Sequence, residues 1–216
     1  MKTQISVKNT LIYLLGMLTI AFGVLFMLRS DIGSSSWDSL HFALHKLLPI
    51  TIGNAMIMVA VFFTILVVYF NRSFKYLVML VPIFSVGYIF DFIDLVIMVN
   101  FNVSTLFTQI LSFTLGLLML PLGGSLLIIS TYPAGVFDEF MISMMKVFKT
   151  NKMVLIRVIM EMSAVTVAFL IQLYVGFDDG QIGLGTLIFS LTVGMSVKLY
   201  LRLFTMLNMF NDETLN

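Results

Sequence analysis

Asp38, His41 and His45 stand at i, i+3 and i+7. On a helix that spacing puts one carboxylate and two imidazoles on a single face. Such a set could ligate a metal ion or relay protons. It also describes the polar side of an amphipathic helix lying at a membrane interface. Trp37, Leu40, Leu44, Leu47 and Leu48 share another, apolar face. Ser35 or Ser36 can cap the helix, with Asp38 in its first turn. The free N–H groups of a half-helix that begins at Gly33–Ser36 could cradle an anionic group.

Arg157 and Glu161 are four residues apart inside an apolar run, so they can pair on one helix face. An intramembrane carboxylate is a functional candidate, because an unpaired charge there costs about 2.5–3.5 kcal/mol on insertion scales. Asp138 opens a second short polar segment, after the helix-breaking Tyr132-Pro-Ala-Gly135. Asp91 and Asp94 lie three apart near the end of another apolar run, where they shape a vestibule or reach water.

The elements that must position these groups are membrane spans. Of 216 residues 60% are hydrophobic and 11% charged, against about 25% charged in a soluble domain. Lipid is the solvent for such a surface. There is no cysteine, which excludes disulfides, thiolate metal sites and cysteine catalysis. Net charge is +1 with no basic run, which argues against a nucleic-acid partner. A hydrocarbon core of about 30 Å needs roughly 20 apolar residues as a helix. Six stretches qualify: Leu11–Leu28, Ile52–Phe70, Phe74–Val99, Leu106–Ile129, Met153–Val175 and Ile182–Phe204. The first lacks the short run and A-x-A-like end of a cleaved signal. The segments Gly33–Leu48 and Pro133–Lys149 are too polar to span. With the N-terminus in the cytoplasm, the inner side holds Lys2, Lys8, Arg72, Lys75, Lys146, Lys149, Lys152, Arg157, Lys198 and Arg202. The outer side then holds Arg29 and Lys46, and its last loop carries Asp178 and Asp179. That is a positive-inside bias with both termini cytoplasmic.

The chain aligns on itself without a gap when Gly16 is set against Gly116. Gly23 then meets Gly123, Ser30 meets Ser130, Asp38 meets Asp138, Lys46 meets Lys146 and Trp37 faces Phe137. Val86-Gly87 matches Val193-Gly194 at a slightly larger offset. Repeat 1 runs over about residues 11–99 and repeat 2 over about 106–204 of a single transmembrane domain. Three crossings per repeat is odd, so the second must be inverted. Inverted repeats are common in transporters. If both short helices dip inward, Asp38 and Asp138 approach a central cavity; otherwise both lie flat at the interface. Met141 and Met145 replace His41 and His45 in the second half, so a symmetric metal pair is not expected, and no cofactor is called for. Gly16 with Gly23, and Gly116 with Gly123, form small-residue stripes that predict close packing of the first and fourth spans. Pro82 and Pro121 predict kinks.

The stretch Gly23-Val-Leu-Phe-Met-Leu-Arg-Ser-Asp-Ile-Gly-Ser-Ser-Ser-Trp-Asp-Ser-Leu-His41 resembles the YczE/YitT-like family of bacterial integral membrane proteins. So does Ile182-Gly-Leu-Gly-Thr-Leu-Ile-Phe-Ser-Leu-Thr-Val-Gly194. The resemblance runs from about Leu11 to Phe204. It implies a bacterial cytoplasmic membrane and this fold. Asp91 fits that family's acidic residue at the end of the third span, whereas the sixth span carries Lys198.

The expected molecule is an all-α membrane protein with six transmembrane helices as two inverted 3+3 repeats. Each repeat carries one short re-entrant or interfacial helix. The leading function is a small permease for a small molecule or ion. Its substrate-binding candidates are Ser35, Trp37, Asp38, Asp138, Arg157 and Glu161. Asp38, His41 and His45 are only weak metal candidates. The alternative is a non-transporting accessory protein that binds or regulates a partner, with a closed bundle and no central cavity. No G-x-S-x-G, P-loop or H-E-x-x-H motif occurs, so no enzyme is expected. Lipid is the surrounding partner, and a homodimer suits so small a bundle.

Overall fold

The computed structural model describes residues 7–130, 132, 135–177 and 181–207. Lys2, Pro133, Asp178, Asp179 and both chain ends lie outside the described residues. The described elements are helical: α1 (Val7–Ser30), α2 (Ser36–Leu47), α3 (Ile52–Asn71), α4 (Leu80–Phe92), α5 (Leu106–Ile129), α6 (Val136–Val147), α7 (Met153–Val175) and α8 (Leu184–Met206). Six helical stretches are long and apolar enough to cross a membrane, one of them Phe74–Ile97, which contains α4. α2 and α6, at 12 residues each, are the two short ones.

Local chemistry sets the ends. Thr51 caps α3 by accepting from the Asn54 N–H at 3.1 Å. Thr105 and Thr108 form a reciprocal capping box at the start of α5. Gly176 closes α7 in the left-handed region at φ 79°. The stretch around α4 is irregular. It starts as a 3₁₀ helix over Phe74–Met79 and ends as a π-turn over Ile93–Ile97. Pro82 therefore sits in the first turn of α4, where no helical N–H is required.

α1 and α5 cross in close contact, and their glycines make the crossing possible. A Cβ on Gly123 would lie 2.8 Å from the Gly16 carbonyl oxygen, and one on Gly116 would lie 2.7 Å from that of Gly23. Gly16 thus pairs with Gly123 and Gly23 with Gly116, so the two helices run antiparallel. α2 packs on α7, and α6 packs on α3. α4 leans on α1 and α8 on α5. One contact has no counterpart. α3 and α4 pack tightly, with Gly53 and Gly87 backbone to backbone, whereas no comparable packing joins α7 to α8.

Six crossings return the chain to the side on which α1 begins. We call that the terminal side; it carries the loops 72–73 and 148–152. The far side carries the loops 48–51 and 98–105, and it is cross-braced. Arg29 pairs with Asp94 at 2.5 Å and donates to the Phe101 carbonyl at 2.9 Å. Asp91 accepts from the Thr51 hydroxyl at 2.6 Å and the Gly53 N–H at 2.8 Å. Both aspartates remain part-exposed. Both are engaged within the protein, because the start of α3 has unpaired N–H groups and α1 ends on a guanidinium. The far halves of α1 and α4, with the first residue of the π-turn, also share a core of Ala21, Val24, Leu25, Leu28, Phe90 and Ile93.

Candidate functional site

The site forms where the first turns of α2 and α6 meet. Ser35 is the N-cap of α2; its Oγ accepts from the Asp38 N–H at 3.2 Å and donates to Asp38 Oδ2 at 2.5 Å. Ser34 and Ser39 fasten this turn from behind. The Ser34 N–H donates to the Gln181 carbonyl at 3.0 Å, as does the Ser39 hydroxyl at 3.0 Å. Gln181 Nε2 in turn donates to the Leu28 carbonyl at 2.9 Å. These serines are buried, so the polar start of α2 is inside protein rather than lying on a surface.

Trp37 stacks on Phe137, with ring centroids 4.0 Å apart and planes within 17°. Phe63 of α3 meets both rings edge-on, at 5.3 Å and 5.5 Å. The stack separates two cavities. The first, about 300 Å³, is lined by residues of α1 to α6, including Ser35, Asp38 and His41. Ile20 and Leu120 line it as well, between the two glycine contacts of α1 and α5. The second, about 140 Å³, is lined by Trp37, Phe137, Asp138, Met141, Arg157, Met160 and Glu161.

The candidate residues therefore gather on the two sides of one aromatic pair. Ser35 and Asp38 face the first cavity, Asp138, Arg157 and Glu161 face the second, and Trp37 borders both. Arg157 Nε lies 4.0 Å from Glu161 Oε1 on the α7 face, so the expected pair is loose and half-exposed. Asp138 is exposed and lines the second cavity together with Arg157 and Glu161.

The weak metal set does not converge. His45 Nδ1 is 2.6 Å from the Ile50 carbonyl at the other end of α2, whereas His41 stays with Asp38, Nδ1 to Oδ1 at 3.6 Å. Among the described residues no group of three His, Asp or Glu side chains is placed to hold an ion. His41 is the residue whose environment the sequence understated. It is 5% exposed, and neither ring nitrogen has a hydrogen-bond partner.

Six apolar helices around a polar, cavity-bearing junction define a multi-pass membrane protein. Over residues 7–202 the chain matches a family described as "Family of unknown function (DUF6198)", and it belongs to that family. It is 23% identical over 189 residues to "Uncharacterized protein YyaS" of Bacillus subtilis (strain 168), covering 88% of this chain and 90% of that one. No solved structure matches it. The resemblance to the YczE/YitT-like family is not what these matches name, and it stays an expectation.

Proposed function

We propose that the chain is a small permease of the bacterial cytoplasmic membrane. In this reading it is two inverted repeats, with α2 and α6 as re-entrant half-helices entering from opposite sides. Three contacts support the inversion: the reciprocal glycine pairs of antiparallel α1 and α5, and the exchange of α2 onto α7 and α6 onto α3. The basic residues favour a cytoplasmic terminal side.

The observation that carries transport is the pair of cavities flanking the Trp37–Phe137 stack, one lined by Asp38 and the other by Asp138 and Glu161. The wall residues of α4, α5 and α7 come from the terminal halves of those helices, whereas Val24 of α1 and Met56 and Ala60 of α3 line the first cavity from the far half. The far side is closed by the Arg29–Asp94 and Asp91–Thr51 contacts and the core beneath them. That is the form of a transporter whose chamber faces one side only. An accessory protein with no chemistry of its own would have little use for a polar-ended central cavity. No step in this reading is enzymatic.

Reconstitution into liposomes with a panel of small metabolites and ions tests the proposal. Uptake of at least one solute is expected, abolished when Asp38→Asn, Asp138→Asn and Glu161→Gln are combined. Undiminished uptake by that triple variant would place the site elsewhere. A folded protein that moves nothing in the panel, yet co-purifies stoichiometrically with one membrane partner, would favour the accessory reading instead.

A further inference from the structure

We propose that the first cavity binds lipophilic organic amines: molecules with an apolar body and a protonated, N–H-donating head. This rests on the permease reading for its role as a substrate chamber, and it specifies the substrate class.

The walls are carbon-rich, built from side chains such as Met17, Val24, Ala60, Ile83 and Leu120. One end is polar and consists of Ser35, Asp38 and His41. About 300 Å³ is the small end of the range for drug-sized ligands. Asp38 is the acidic residue in this wall, and no lysine or arginine lines it. The wall thus carries one negative charge when the imidazole is neutral. The first turn of α2 contributes partial positive charge, which the full charge of Asp38 in that same turn outweighs.

His41 supplies the second, independent observation. Its ring is enclosed and both nitrogens lack partners, although buried polar atoms are nearly always paired. Asp38, at 3.6 Å, is beyond hydrogen-bond reach of it. A protonated amine in the cavity donates to the Asp38 carboxylate, and a turn of the enclosed His41 ring toward the cavity lets a second N–H reach an imidazole nitrogen. Trp37, Phe137 and Tyr13 add aromatic rings to the same wall. An alcohol has a single donor and leaves the carboxylate charge uncompensated. A carboxylic acid is repelled by Asp38. The second cavity is chemically distinct, because Arg157 borders it and Met141 stands where the first half has His41.

Trp37 is the single tryptophan of the chain and stands at the cavity wall. Its fluorescence in the purified full-length protein in lipid nanodiscs therefore reports occupancy. The probe is 4-phenylbutylamine, with 4-phenylbutanol and 4-phenylbutyrate as isosteric comparators. The amine is expected to give a saturable change, binding at least about tenfold more tightly than either comparator. Asp38→Asn should weaken the amine by at least about tenfold and His41→Ala by less. If Asp38→Asn fails to fold, Val86→Phe carries the test, since it narrows the cavity from α4 and should abolish the response. Equal responses to all three probes, or an amine response unchanged by Asp38→Asn and by Val86→Phe, would overturn the site. Amine binding without amine flux in liposomes would sink the permease reading and leave the site standing. Flux of another solute with no amine response would do the reverse.

Discussion

Asp91 and Asp94 lie one helical turn apart and hold different parts of the far side. Asp91 satisfies the start of α3 through the Thr51 hydroxyl and the Gly53 N–H, and Asp94 takes the Arg29 guanidinium. Hydrogen bonds to a charged group are worth about 1.5–3 kcal/mol each. Asp91→Asn keeps the shape, loses the charge and turns a donor toward a donor. It is expected to destabilise the protein by about 1–3 kcal/mol, read as a lower midpoint in thermal unfolding in detergent. An unchanged midpoint would mean that the contact contributes nothing. The sequence displayed these aspartates but not their partners, since Thr51 and Arg29 lie 40 and 65 residues away. The candidate site was better legible. The alignment of Trp37 with Phe137 followed from the internal repeat, and the structure brings the two rings face to face; Asp38 and Asp138, expected to approach one central cavity, line two separate ones. The isolation of His41 was not legible, because i, i+3 and i+7 spacing cannot show that His45 turns away to the Ile50 carbonyl.

The apolar spans were readable because each needs roughly 20 residues of hydrocarbon-compatible surface. Leu106–Ile129 and Met153–Val175 agree with the sequence to the residue, and the others differ by a few residues at their ends. Hydropathy is blind to hydrogen-bond register, so nothing foretold the 3₁₀ entry and π exit of the third span. The crossing of α1 and α5 was foretold, since glycines spaced seven apart share one face. The two adjacent glycines of α5 separate packing from mere tolerance. A Cβ on Gly123 would be 2.7 Å from the Ile20 side chain, while one on Gly124 meets nothing within 4 Å. Gly123→Leu should therefore lower stability by at least about 1–3 kcal/mol, or prevent recovery of monodisperse protein. Gly124→Leu should change little. Size-exclusion profiles and unfolding midpoints check both. Equal behaviour of the two variants would refute the close crossing.

At the scale of the whole molecule the two halves are alike in their crossing and unlike in their chemistry. Arg157 and Glu161 of α7 stand where α3 has Ile57 and Val61. The tight α3–α4 packing has no equivalent between α7 and α8. An exchange between two equal states needs no such difference, whereas a chamber with one binding end and one charged end does. This asymmetry is invisible to a repeat search, which scores likeness and passes over departures. The central claim is that both cavities, one on each side of the Trp37–Phe137 stack, are reached from the cytoplasm. Because the chain has no cysteine, it can be tested directly in the native background. Single cysteines at the equivalent positions Ala60 and Met160 line the first and second cavity. In inside-out vesicles both should react with a membrane-impermeant methanethiosulfonate, and in right-side-out vesicles both should be protected. Protection of both cysteines from both sides, with full reaction after denaturation, would show a closed bundle and contradict the account.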